Sequence, residues 1–185
     1  MAILNVHCAI ALLVTTFLLP PKLPAADEGA PAADVYALMA VYIQNFAKFT
    51  TWPVESFVDP TAALNLCILG EDPFGVALAK VDGSKIRDHA LRIKHYPRVA
   101  VISGCHIVFI SRSERWRLEQ ILHDLTGTPI LTVSDIPEFS QQGGMITLLT
   151  VDRRLRFAVN PVAVARAGLK LSSKLLELAQ IVGNS

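Results

Sequence analysis

The chain predicts one three-layer α/β domain: a mixed, mostly parallel sheet with a late antiparallel hairpin and helices on both faces. Three observations carry this reading. Apolar runs of strand length, LNLCILG (64–70), CHIVFI (105–110) and PILTVSD (129–135), alternate with segments of helical spacing, the pattern of βαβ units. Near the end, MITLLT and LRFAVN flank Asp152-Arg153-Arg154 and read as a hairpin. The composition, 52% hydrophobic and 18% charged residues in a chain of 185, is that of a folded globular protein. The length suits one domain.

The elements follow in order. Residues 8–19 (CAIALLVTTFLL) carry no charge and stop short of the roughly 20 residues a bilayer span needs. With LPA-A or PAA-D behind them they read as an export signal over residues 1–26. Residues 27–36 are a flexible lead-in, and the domain occupies 37–182. Asp34 is the expected N-cap of a helix with an apolar stripe of Val35, Leu38, Met39, Tyr42, Ile43, Phe46 and Phe49. Trp52-Pro53 ends it, because the residue before proline is pushed out of helical geometry. A strand (64–70), a short helix (about 73–81) and a strand (90–96) come next. After the strand at 105–111, Ser113 is the expected cap of a helix over 114–126. Its buried side is Leu118, Ile121, Leu122 and Leu125, and Gly127 stops it. Beyond the strand at 129–135 and the hairpin, Asn160-Pro161 starts a helix that Gly168 interrupts. Ser172 caps a final segment rich in leucine.

Export bears on the sulfur. Cleavage removes Cys8 and leaves Cys67 and Cys105, which in an oxidising compartment read most simply as one disulfide. In a cytosolic chain the same two residues would be separate buried thiols. Cys105 and His106 make a poor catalytic dyad, since neighbours along a strand point to opposite faces. Charge says little about partners: Lys22 leaves with the signal, so 17 basic residues become 16 against 16 acidic ones. No basic tract interleaved with aromatics occurs, and no nucleic-acid partner is expected.

Chemical motifs are sparse. GEDPFG (70–75) sits between a strand and a helix but matches neither nucleotide fingerprint. His89, His95, His106 and His123 have no metal-ligand spacing, and no G-x-S-x-G elbow is present. No cofactor, metal site or catalytic residue is expected, and the chain does not read as an enzyme. Asp135 ends a strand at its carboxyl edge, where open α/β sheets keep ligands; it could bind one or cap the next turn. Arg153, Arg154 and Arg156 gather at the hairpin. Leu155, Phe157 and Val159 share one face there, which leaves Arg156 on the other with Asn160.

Six ordered segments, NFAKFTTWP, LCILGEDPFG, GCHIVFIS, ILTVSD, GGMITL and RFAVNPVAVARAGLKLSSKLLELA, together resemble the YfiR-like periplasmic proteins from about Ala37 to Val182. The resemblance implies an α/β domain in the periplasm with a bridge between Cys67 and Cys105. It also implies a non-enzymatic repressor that binds the periplasmic sensor region of an inner-membrane diguanylate cyclase. An outer-membrane lipoprotein captures such repressors, and a homodimer is compatible with the family. Some members carry a second cysteine pair nearer the C-terminus; this chain has none, so redox control through a second bridge does not carry over. Candidate contact residues are Arg156, Arg154, Asn160 and Asp135. The alternative is a periplasmic small-ligand sensor serving another membrane receptor, such as a histidine kinase, through the carboxyl edge near Gly70, Asp135 and Gly144.

Overall fold

A computed structural model describes residues 30–98 and 102–183. The export signal expected over residues 1–26 lies outside the described residues. So does the start of the lead-in expected over 27–36, and from Ala30 onward that stretch is already helical. Helix α1 (Ala30–Phe49) therefore begins ahead of Asp34, which lies inside it and is not its cap. The buried arc of α1 is Met39, Ala40, Ile43, Phe46 and Ala47, while Leu38 and Phe49 are exposed. The helix is thus rolled away from its widest apolar stripe towards two alanines, whose small side chains allow close packing on the sheet.

The strands are β1 (Thr50–Thr51), β2 (Leu64–Leu69), β3 (Lys85–Ile86), β4 (His89–Tyr96), β5 (Ile107–Ile110), β6 (Leu131–Ser134), β7 (Ile146–Val151), β8 (Arg154–Val159), β9 (Lys170–Leu171) and β10 (Gln180–Ile181). Eight of them form one sheet in the order β10-β8-β7-β6-β5-β2-β4-β3. Its centre, β7-β6-β5-β2-β4, is parallel, as the alternation of apolar runs and helical segments requires. The β7–β8 and β3–β4 pairs are antiparallel. The β7–β8 turn is Asp152–Arg153, both at positive φ (49° and 60°), the type I′ arrangement whose twist matches a hairpin. Strand β9 pairs with β1 outside the main sheet.

Period-two alternation divides the core. Leu66, Ile68, Ile107 and Phe109 face one side with α1, α3 (Pro161–Arg166) and α4 (Ser173–Leu176). Leu69, Val108 and Ile110 face the other, covered by Leu118, Ile121 and Leu125 of α2 (Leu118–Leu125). Helices cover both faces, so the three-layer expectation holds.

Local expectations fare unevenly. Asn160 and Ser172 cap α3 and α4, their side chains accepting from the backbone N–H of Ala163 and Leu175. Where a helix over 73–81 was expected, the chain forms a 3-10 segment, Gly75–Lys80. A second 3-10 segment, Arg112–Arg117, precedes α2, and the ion pair of Glu114 with Arg117 spans the i,i+3 spacing that this tighter helix brings into line. Ser113 caps nothing: its hydroxyl accepts from the Glu71 N–H at 3.0 Å. Leu122 is only partly buried at the margin of the α2 cluster.

Candidate functional site

Rolling α1 leaves an apolar margin exposed among the described residues. Tyr42 and Phe49 of α1, Leu155 and Arg156 of β8, and Leu178 beyond α4 line a groove of about 310 Å³. Its floor is aromatic, with Phe157 lying 5.1 Å from Phe46 and 6.2 Å from Tyr42 between ring centres. Leu178 is 75% exposed and Phe49 38%. Strand β10 pairs with Ala158 and Val159, so among the described residues β8 presents an open edge from Arg154 to Phe157. Arg156 stands there and makes no salt bridge among the described residues. A cation beside exposed aromatic and aliphatic surface is the composition of a protein-contact patch.

Of the residues singled out from the sequence, Arg156 and Arg154 are exposed on β8. The other two are buried and hydrogen-bonded within the domain, with Asp135 Oδ1 alone lacking a partner among the described residues. Asn160 is buried, accepts from Ala163 N–H at 3.0 Å and donates to the Ser140 carbonyl at 2.9 Å. It therefore does not share an open surface with Arg156. Asp135 is buried at the carboxyl end of β6. Its Oδ2 accepts from the Tyr36 hydroxyl and from Arg112 Nε, both at 2.8 Å. Burial and the bond to Asp135 push the Tyr36 phenol up to about 12, so it stays a donor at every physiological pH. The surrounding edge is close-packed: Ser113 and Glu114 fill the space beside Gly70, and the Phe139 ring fills that beside Gly144.

Cys67 and Cys105 are disulfide-bonded, with Cα atoms 6.0 Å apart. Strand β5 begins only at Ile107, so strict alternation does not govern the Cys105-His106 pair, yet the two side chains still diverge. Cys105 joins the α2 side of the core, and His106 stacks on Phe57 at 4.4 Å between ring centres. The Asn65 N–H donates to His106 Nδ1 at 3.1 Å, which places the ring proton on Nε2, donating to the Ser56 carbonyl at 3.0 Å. Burial pushes the His106 pKa below the ordinary imidazole value. A second proton would also set Nδ1–H against the Asn65 N–H. Because the unfolded chain takes up that proton more readily, stability is full above about pH 6.5 and falls as pH drops below it. Melting curves from pH 8 to 5 are expected to fall less steeply below about 6.5 for His106→Gln than for the wild type; parallel slopes would refute the assignment.

The groove carries little signal in the sequence. Its residues come from three distant segments, and the only hint is that the α1 stripe is wider than one buried face. No group of three or more His, Cys, Asp or Glu comes together as a metal site among the described residues. No helix among them is long and apolar enough to cross a membrane.

Fold and bridge together define a disulfide-stapled open-sheet α/β domain. The family model described as YfiR/HmsC-like matches residues 36–180, and the chain belongs to that family. YfiR-like proteins are regulatory proteins of the periplasm. The fold is also similar to the crystal structure of a conserved domain protein from Vibrio cholerae, with a TM-score of 0.53 and 6% sequence identity over 80% of this chain. The match spans 60% of the Vibrio cholerae chain.

Proposed function

We propose that the exported protein binds the periplasmic sensor region of an inner-membrane diguanylate cyclase, holds the enzyme inactive and so lowers cyclic di-GMP. The observation that carries this reading is the family match over residues 36–180. The groove beside Arg156 supplies a contact surface, and the open edge of β8 offers main-chain hydrogen bonds to an added strand. An outer-membrane lipoprotein that competes for the same protein would release the cyclase.

A soluble domain inhibits a membrane receptor by its difference in affinity for the two receptor states. Moving the receptor from mostly active to mostly inactive needs a preference of about 5.5 kcal/mol, within reach of an interface with a few buried anchors. Arg156→Glu reverses the cation at the rim of the groove and is expected to cost about 2 kcal/mol of partner affinity, roughly thirtyfold. The test is a membrane pull-down with the wild-type protein and this variant, alongside cyclic di-GMP measured in a gene deletion. Deletion should raise cyclic di-GMP and biofilm, and plasmid-borne wild-type protein should reverse both. Unchanged cyclic di-GMP with no cyclase retained on the protein would overturn the reading.

A further inference from the structure

A second apolar cavity, of about 460 Å³, shares no lining residue with the groove at Arg156. It opens where β2 and β4 begin, the amino-terminal side of the sheet. Its volume falls within the range of small-molecule sites. Trp52, Leu64 and Ile86 are buried in its walls. At the mouth Val54 and Val58 are 84% and 97% exposed. The Phe57 ring is stacked between His89 at 4.0 Å and His106 at 4.4 Å, so it lines the cavity with its edge. His89 is itself oriented, its Nδ1–H donating to the Ala62 carbonyl at 2.6 Å.

The arginine of this cavity sits at a backbone position that favours glycine. Arg87 and Asp88 are the two central residues of the β3–β4 hairpin, whose register pairs Ile86 with His89. Arg87 has φ +54°, whereas Asp88 is not among the residues at positive φ. A positive φ at the first central position of a two-residue hairpin turn favours glycine. A long β-carbon-bearing side chain there is strained, and such strain persists only where the surrounding structure fixes it. One Arg87 nitrogen donates at 3.1 Å to the Lys48 carbonyl, in the last turn of α1 where carbonyls lack helical partners. A guanidinium has further donors, and its paired N–H geometry suits a carboxylate.

We infer that this cavity binds a small monocarboxylate with an apolar body, the carboxylate on Arg87 and the body against Trp52 and the edge of Phe57. Asp59 also lines the mouth. It is exposed, and its Oδ1 accepts from the amide and hydroxyl of Thr61, both at 2.8 Å. Its charge, exposed to solvent, opposes a dianion more strongly than a monoanion. The inference does not depend on the identity of the protein partner.

The test follows the Trp52 indole N–H by NMR while phenylacetate or uncharged phenylacetamide is added to the folded exported protein. Trp52 lies in the cavity wall, and Trp116, 82% exposed elsewhere, is the internal control. Phenylacetate should shift Trp52 and leave Trp116 unmoved, and phenylacetamide should bind roughly tenfold more weakly. Arg87→Gly should melt no lower than the wild type, since glycine relieves the left-handed strain, and should lose the preference for the anion. Absence of a Trp52 shift with phenylacetate would overturn the inference. So would equal affinity for acid and amide, or an Arg87→Gly variant that still prefers the acid.

Discussion

Phe109→Ala is expected to lower stability by about 3–5 kcal/mol and the melting temperature by roughly 6–20 °C. Phe109 is fully buried on β5, in the middle of the sheet, and meets Phe74 edge-on at 4.7 Å. Its neighbours belong to the rigid parallel strands, Ile68 across β2 and Val133 across β6, so the vacated volume cannot collapse cheaply. Phe109→Leu retains most of that volume and should cost about 1 kcal/mol. Differential scanning of the three proteins checks the order. An alanine variant melting no lower than the leucine variant would show that this layer is not the core.

Loss of the Cys67–Cys105 bridge is expected to cost about 2–5 kcal/mol. The two cysteines are 38 positions apart, and the chain-entropy model gives about 4 kcal/mol for a loop of that size. The bridge joins the central strand β2 to the segment leading into β5, and both sulfurs lie in the core against α2. Either single substitution by serine removes the whole cross-link, so the double variant should melt close to the singles, not at the sum of their losses. Peptide mapping without reductant should recover the linked pair. Two freely alkylated thiols in the folded protein would disprove the bridge.

How far these features were legible depends on the range of the interactions that create them. Strands β2, β4, β5 and β6 and the β7–β8 hairpin declare themselves through runs and turn residues, and the caps Asn160 and Ser172 act within three residues of their targets. Strands β1, β3, β9 and β10 are each two residues long, too short for any period, and exist only because distant segments meet. The roll of α1 is set by what lies beneath it: the stripe gives equal weight to Leu38 and Met39, and only the sheet chooses between them. Alternation placed Arg156 outward on β8 correctly. It could not show that Asn160, one step past the strand, turns inward to cap α3. The Arg87 cavity was hidden because its walls come from three segments and its clue is a backbone angle.

The pairing of β1 with β9 sets an order of events when the chain emerges from its site of synthesis, N-terminus first. Thr50 and Thr51 meet Leu171 and Lys170, and the Ser172 N–H donates to the Phe49 carbonyl at 2.9 Å. Leu175 then packs into the core layer that holds Ile43 and Phe46. Helix α1 is therefore locked by residues made long after it. Until those arrive, the flank of α1 that meets Leu175 and the backbone of β1 stay open to other chains, the exposure from which aggregation starts. A nascent or truncated chain ending before Lys170 would be a client for chaperones and proteases even with every central strand in place.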